Sequence, residues 1–142
     1  YGRRRAFTLI ELIMVVVILG VLAALVVPNF TGRTQETKLA AIKTQIKSFE
    51  VALDLYEGDN GAYPSSSQGL AALVEKPTEA PVPDNWKRPY LKNGVPKDPF
   101  GNEYKYTCPG KHNSDGYDIS SAGPDGQHST DDDLNNWQAA ES

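Results

Sequence analysis

The sequence has one cysteine, Cys108, one methionine and two histidines in 142 residues. A lone cysteine excludes a disulfide within the chain, so a small domain working outside the cytoplasm would need another staple, of which a bound metal is one candidate. Nothing near Cys108 suggests a partner for nucleophilic chemistry, and it reads as a half-buried strand residue. His112 and His128 fall in loops rich in Gly and Ser and read as exposed polar positions. No nucleophile, base and orienter can be assembled from the sequence, which argues against an enzyme. Bases are also scarce after Gly58, where acids outnumber them, so that half has no attraction for nucleic acid. The length allows one domain with a modest core.

What the chain does have is a long apolar run. Phe7 to Val27 holds a single charged residue, Glu11. At helical rise such a run spans about the 30 Å of a bilayer's hydrocarbon. Arg3, Arg4 and Arg5 precede it and no base follows until Arg33, which places the N-terminus in the cytoplasm and the remainder across the membrane. A cleaved signal peptide has a shorter apolar region, and Ala23-Ala24 makes only a weak cleavage site. The run also continues as a helix: Leu39, Ile42, Ile46, Phe49, Leu53 and Tyr56 recur at steps of three and four. The pattern predicts one helix over about residues 8 to 57, apolar all round and then amphipathic, softened at Gly20 and Pro28. Glu11 in hydrocarbon calls for a partner; the alternative is a place near enough the membrane surface to reach water.

The order of these elements, a basic leader followed by FTLIELIMVVVILGVLAALVVP, resembles the class III signal of type IV pilins and type II secretion pseudopilins. The resemblance implies that a prepilin peptidase cuts between Ala6 and Phe7 and that the new amine of Phe7 is methylated. Ala6 departs from the Gly usual before the cut. With no Met ahead of Tyr1, the chain is expected to be part of a longer precursor. Glu11 becomes the acid at the fifth mature position, which in the family is thought to meet the N-terminal amine of an adjacent subunit during assembly.

Further on, Leu55-Tyr56, Asp59-Asn60, Tyr63-Pro64 and Gln68-Gly69-Leu70 look like the helix end and following loop of the general secretion pathway protein G family. Physically, Gly58 and Gly61 permit the helix to stop, and Tyr63 and Leu70 can fold back over its apolar stripe. Asp98-Pro99-Phe100-Gly101 reads as a tight turn, Glu103 to Cys108 and Gly116 to Ser121 as strands. With a short strand near Leu91 they would make a three-stranded sheet. Trp86 and Trp137 are expected to cover the core edge, and the Pro-containing stretch from Glu75 to Lys87 to form a surface loop. The expected fold is α+β: a long N-terminal helix packed on a small antiparallel sheet, with a C-terminal calcium-binding loop.

That loop, SSAGPDGQHSTDDDLNNW, is the other site candidate. On composition alone it reads as a solvated acidic loop, as an N-cap for a short helix at Leu134 to Gln138, or as a cation site; its spacing does not fit an EF-hand. The resemblance implies calcium. Carried over by position, Asp125, Asp132 and Asp133 supply carboxylates, Ala122 and Gln127 backbone carbonyls, and Thr130 a further oxygen, with Asp131 the least secure of the acidic run. Calcium would take the place of the missing disulfide by making metal affinity part of folding stability.

The expected organisation is a residual leader at 1–6, a transmembrane and assembly helix at 7–28 and a periplasmic domain at 29–142. Within that domain the helix continues to about 57, loops occupy 58–90, and the sheet and calcium loop span 91–137. The resemblance implies a major structural subunit of the type II secretion pseudopilus, polymerising from the inner membrane into a periplasmic filament that helps export folded proteins. Its partners would be copies of itself, minor pseudopilins, the inner-membrane assembly platform with its ATPase, the prepilin peptidase and membrane lipid. A type IV pilin of a surface filament and a membrane-anchored calcium-binding module that does not polymerise are the alternatives; many pilins close the C-terminal loop with two cysteines, which this chain lacks.

Overall fold

The computed structural model describes residue 2 and residues 6–138, apart from the side chains of 25–33. The basic cluster Arg3 to Arg5 therefore lies outside the described residues, and of Pro28, where softening was expected, only the backbone is described, as part of a helix. The chain divides into two compact units, Tyr1–Thr37 and Lys38–Ser142. Helix α1, Leu9–Asn60, contributes residues to both.

In the first unit α1 opens on a reciprocal cap. Glu11 accepts from the Thr8 N–H and hydroxyl through Oε2 at 3.1 and 3.2 Å, while the Glu11 N–H donates to Thr8 Oγ1 at 3.3 Å. This is the Thr-x-x-Glu capping box, which satisfies donors that a helix start otherwise leaves unpaired. Every described residue from Ala6 to Ala24 is exposed. Among the described residues no helix is long and apolar enough to cross a membrane; the apolar run continues into 25–27, whose side chains lie outside them.

The second unit is built on the amphipathic part of α1. Ile42, Ile46, Phe49, Ala52, Leu53 and Tyr56 are buried in the core, and Val51 and Leu55 stay exposed on the same helix, so the expected stripe is the one that packs; Leu39, at its start, is half-buried. The helix passes through Gly58 and ends three residues beyond the expected Glu57. Asn60 extends it by donating to the Tyr56 carbonyl and to the Tyr90 hydroxyl. Gly61, at φ +80°, then closes the end with its N–H on the Glu57 carbonyl at 2.7 Å.

A 3-10 turn, Leu70–Leu73, lays Leu70, Ala72 and Leu73 on the stripe. The Gln68 amide donates to the Glu79 and Pro81 carbonyls, and Trp86 Nε1 to the Ala72 carbonyl, so the loop from Glu75 to Lys87 is pinned in its middle and near its far end.

The sheet has three antiparallel strands, β1 Lys105–Thr107, β2 Asp118–Ser121 and β3 Leu134–Asn135, in the order β1-β2-β3. Two expectations are corrected here. No strand forms near Leu91: the Tyr90 and Leu91 N–H groups both donate to the Leu73 carbonyl, at 2.7 and 3.1 Å, which spends them on the 3-10 turn. The third strand is Leu134–Asn135, in place of the short helix considered for Leu134 to Gln138. Central β2 is buried throughout, and Ile119 and Tyr117 join the helix residues in one core.

Tyrosines fill the layer between helix and sheet. Tyr104 meets Phe49 edge to face at 4.9 Å, and Tyr63 meets Tyr117 at 4.8 Å. Their hydroxyls find acceptors at the margin: Tyr63 on Asp54, Tyr90 on Asp59, Tyr104 on Gln45 and Tyr106 on the Pro64 carbonyl. Burial pushes the hydroxyl pKa up at Tyr104, Tyr106 and Tyr117. Rings with satisfied polar tips add directional packing to area burial, as a small core without a disulfide requires.

Candidate functional site

The acidic loop leaves β2 and returns to β3, and its backbone conformation follows from its glycines. Gly123 has φ +65°, and a Cβ there would stand 2.4 Å from the Asp132 carbonyl oxygen. Only a residue without a side chain lets the two limbs of the loop approach this closely. Gly126, at φ +71°, completes the Pro124-Asp125-Gly126 turn. The limbs are tied by the Asp125 N–H donating to Asp132 Oδ2 at 3.2 Å.

This close approach gathers the carboxylates. Asp125, Asp132 and Asp133 each offer an oxygen, all within 4.8 Å of one another. Thr130 Oγ1 sits 2.6 Å from Asp132 Oδ1, 3.0 Å from Asp133 Oδ1 and 3.1 Å from the Gln127 carbonyl. A hydroxyl has one proton, so it serves one of these three acceptors and leaves the others facing oxygen. The Gln127 N–H donates to Asp125 Oδ1 and the Ser129 N–H to Asp133 Oδ2. The hydrogen bond from Thr130 and the Asp125 N–H hold the Asp132 carboxyl below its ordinary pKa, so it is charged in the neutral range.

Oxygen atoms crowded around like charges with too few protons between them fit a hard cation, which takes six to eight oxygen ligands. Of the residues assigned from sequence, Asp125, Asp132, Asp133, Thr130 and the Gln127 carbonyl stand together. Ala122 is fully buried at the loop's origin, next to the Gly123 contact. Asp131 is exposed and outside the carboxylate group.

The N-terminal candidates lie apart in the chain. Ala6 and Phe7 are exposed and precede the first helical residue, so the bond between them lies outside α1. Glu11 has Thr8 as its partner. Thr8 was not singled out from the sequence, although the Thr8-x-x-Glu11 spacing carries the signal. Cys108 is half-buried beyond β1, with its Sγ 3.5 Å from the Gly116 carbonyl.

Sequence reading did not single out Asp118; His112 is exposed, as expected, but the sequence did not show its partners. Asp118 accepts the N–H groups of Lys111, His112 and Asn113 at 2.7, 2.9 and 3.0 Å, and the His112 ring at 3.1 Å. Burial would raise its pKa; these hydrogen bonds outweigh burial and lower it. The His112 imidazole stacks on Trp137, with centroids 4.1 Å and planes 4° apart. His128 is exposed.

Comparison with known proteins agrees with both ends of the chain. Residues 29–137 match the family model of type II secretion system protein G, and residues 1–27 that of the prokaryotic N-terminal methylation motif. The type II secretion system core protein G of Pseudomonas aeruginosa is 49% identical over 137 residues, covering 95% of this chain and 96% of that protein. Its counterpart in Dickeya chrysanthemi is 46% identical over 135 residues, covering 95% and 87%. The crystal structure of the major pseudopilin from the type 2 secretion system of enterohaemorrhagic Escherichia coli superimposes with a TM-score of 0.68 at 39% identity, covering 80% of this chain and 97% of that one. With an N-terminal methylation motif on an exposed apolar helix, and with relatives matched over nearly their whole length, this chain belongs to the type II secretion system protein G family.

Proposed function

We propose that this chain is the major structural subunit of a type II secretion pseudopilus, held in the inner membrane by residues 7–28 and polymerised into a periplasmic filament. The observation that carries the reading is the start of α1: Phe7, Leu9, Ile10, Leu12, Ile13, Met14 and the apolar residues through Leu22 are all at least half exposed. A surface of this kind is stable only when lipid or other apolar helices cover it. Lipid covers it before assembly, and copies of the chain cover it afterwards.

The remaining parts take roles consistent with that exchange. The exposed Ala6-Phe7 bond, ahead of the helix, is open to a prepilin peptidase at the membrane face, and methylation of Phe7 follows. Glu11, exposed, meets the Phe7 amine of a neighbouring subunit and fixes register, leaving its bonds to Thr8. Minor pseudopilins, the assembly platform and its ATPase are the partners of a subunit working in this way. The work is assembly, and no residue takes a catalytic role.

Calcium fits the acidic loop. Asp125, Asp132 and Asp133 would hold it, with the Gln127 and Ala122 carbonyls and Thr130 Oγ1. When bound it neutralises the clustered charge and ties the loop to the sheet, a clamp in place of a disulfide. The test of the whole is Glu11→Ala: the variant is expected to fractionate with the membrane as wild type does and to yield no filaments. Filaments at wild-type yield would overturn the pairing role.

A further inference from the structure

β3 is too short to hold the far end of the acidic loop by itself. It pairs with β2 at two positions, Ser120 with Asn135 and Ser121 with Leu134, and strand pairs of that length have little stability of their own. Asp132 and Asp133 come directly before it. Whatever docks residues 134–137 therefore also decides whether these carboxylates stay beside Asp125. Two side-chain contacts add to the ladder. Asn136 accepts the Ile119 N–H through Oδ1 at 2.9 Å and donates to the Tyr117 carbonyl at 3.0 Å. One residue on, the Trp137 indole lies flat on the His112 imidazole.

His112 is itself fixed. Three successive backbone N–H groups, from Lys111, His112 and Asn113, converge on Asp118 at the start of β2, and the His112 ring touches the same carboxylate. Gly110 lets this turn close, since a Cβ there would stand 2.5 Å from Asp118 Oδ1. The imidazole is thus presented from the central strand as a preset platform. One open groove of about 340 Å³ is lined by His112, Asp118 and Trp137 together with Thr130 and Asp133, so platform and acidic loop are contiguous.

We infer that His112 is a positioning residue for the metal site: by stacking on Trp137 it holds the returning limb of the loop so that Asp132 and Asp133 stay in reach of Asp125, and it sets calcium affinity without being a ligand. The inference rests on the calcium reading given above. It goes beyond that reading in naming a residue outside the acidic loop that controls its carboxylates.

The experiment is calcium titration by calorimetry of the full chain in detergent micelles, for wild type, His112→Ala, His112→Phe and Trp137→Leu. The Trp137 indole N–H resonance is followed in the calcium-free proteins. A stacked pair of this type shifts an equilibrium by about 3- to 10-fold, so His112→Ala and Trp137→Leu should each weaken calcium binding by about that factor. His112→Phe keeps a ring on the indole and should stay within about twofold of wild type. In His112→Ala the Trp137 resonance should move while that of Trp86 does not. Unchanged affinity in His112→Ala overturns the inference and leaves the calcium reading standing. A loss in His112→Phe as large as in His112→Ala overturns it in favour of the Asp118 contact. If His112→Ala does not fold, unchanged affinity in Trp137→Leu has the same force. Wild type that binds no calcium sinks the calcium reading and this inference with it.

Discussion

Thr8 and Glu11 bind each other at the start of α1 through three hydrogen bonds, so in the isolated subunit the carboxylate is already spoken for. An acid in an apolar segment is costly unless partnered, and the capping box lowers that cost before any neighbour arrives. The cap accepts Gln as readily as Glu, whereas an ion pair with a neighbour's amine needs the charge. Glu11→Gln is therefore expected to keep the helix start and membrane insertion and to lose filaments. Electron microscopy of sheared fractions reads this directly, and wild-type filament yield from the Gln variant would contradict the pairing.

Gly123 and the Asp132 carbonyl approach each other more closely than any side chain allows. If the loop holds calcium, saturating calcium raises the melting temperature by on the order of 10 °C relative to chelator, because only the folded loop gathers the ligands. Gly123→Ala should remove most of that difference by forcing the limbs apart. Parallel melting curves of the two proteins, with calcium and with chelator, decide the point; an undiminished calcium response in Gly123→Ala counts against the loop geometry.

Asp118 gives the domain a defined acid response. Its folded pKa lies below its unfolded one, so its contribution is fully present above the unfolded value, about pH 4. It is lost as pH falls through the folded pKa. Asp118→Asn leaves backbone donors facing an amide and should cost about 3 kcal/mol at neutral pH. As pH falls through the folded pKa the two proteins should converge, since wild type then loses the same charge. Urea unfolding across this range, in chelator, measures it. A constant gap between the curves would mean that the charge is not what the turn at Lys111 to Asn113 holds.

Much of the fold was legible because its helix is strongly patterned. Ile42, Ile46, Phe49, Leu53 and Tyr56 announce the buried face of α1 by spacing alone, and the structure buries all of them. The tight turn at Asp98 to Gly101 was legible from its residues as well: the Gly101 N–H bonds the Asp98 carbonyl, and Asp98 Oδ1 takes the N–H groups of Phe100 and Asn102. β3 was not legible, since Leu134–Asn135 is too short to alternate, and the Asn136 bonds to Ile119 and Tyr117 beside it are tertiary. Leu91 failed as a strand because its N–H goes to the Leu73 carbonyl, a partner far off in sequence. The carboxylates of the acidic loop were visible as a cluster of acids, but the Gly123 contact and the Thr130 bonds that gather them are tertiary facts. His112 carries no local signal at all, because its partners lie six and twenty-five residues away.

In the proposed function the apolar start of α1 is buried against copies of itself. Electron microscopy of the full chain, cleaved after Ala6 and expressed with a complete secretion apparatus, tests it most directly. Filaments whose interior is packed with the helices of residues 7 onward, with Glu11 of each subunit beside a neighbour's Phe7 amine, are the expected result. Processed protein that stays monomeric in the membrane, with calcium and without it, would contradict the account.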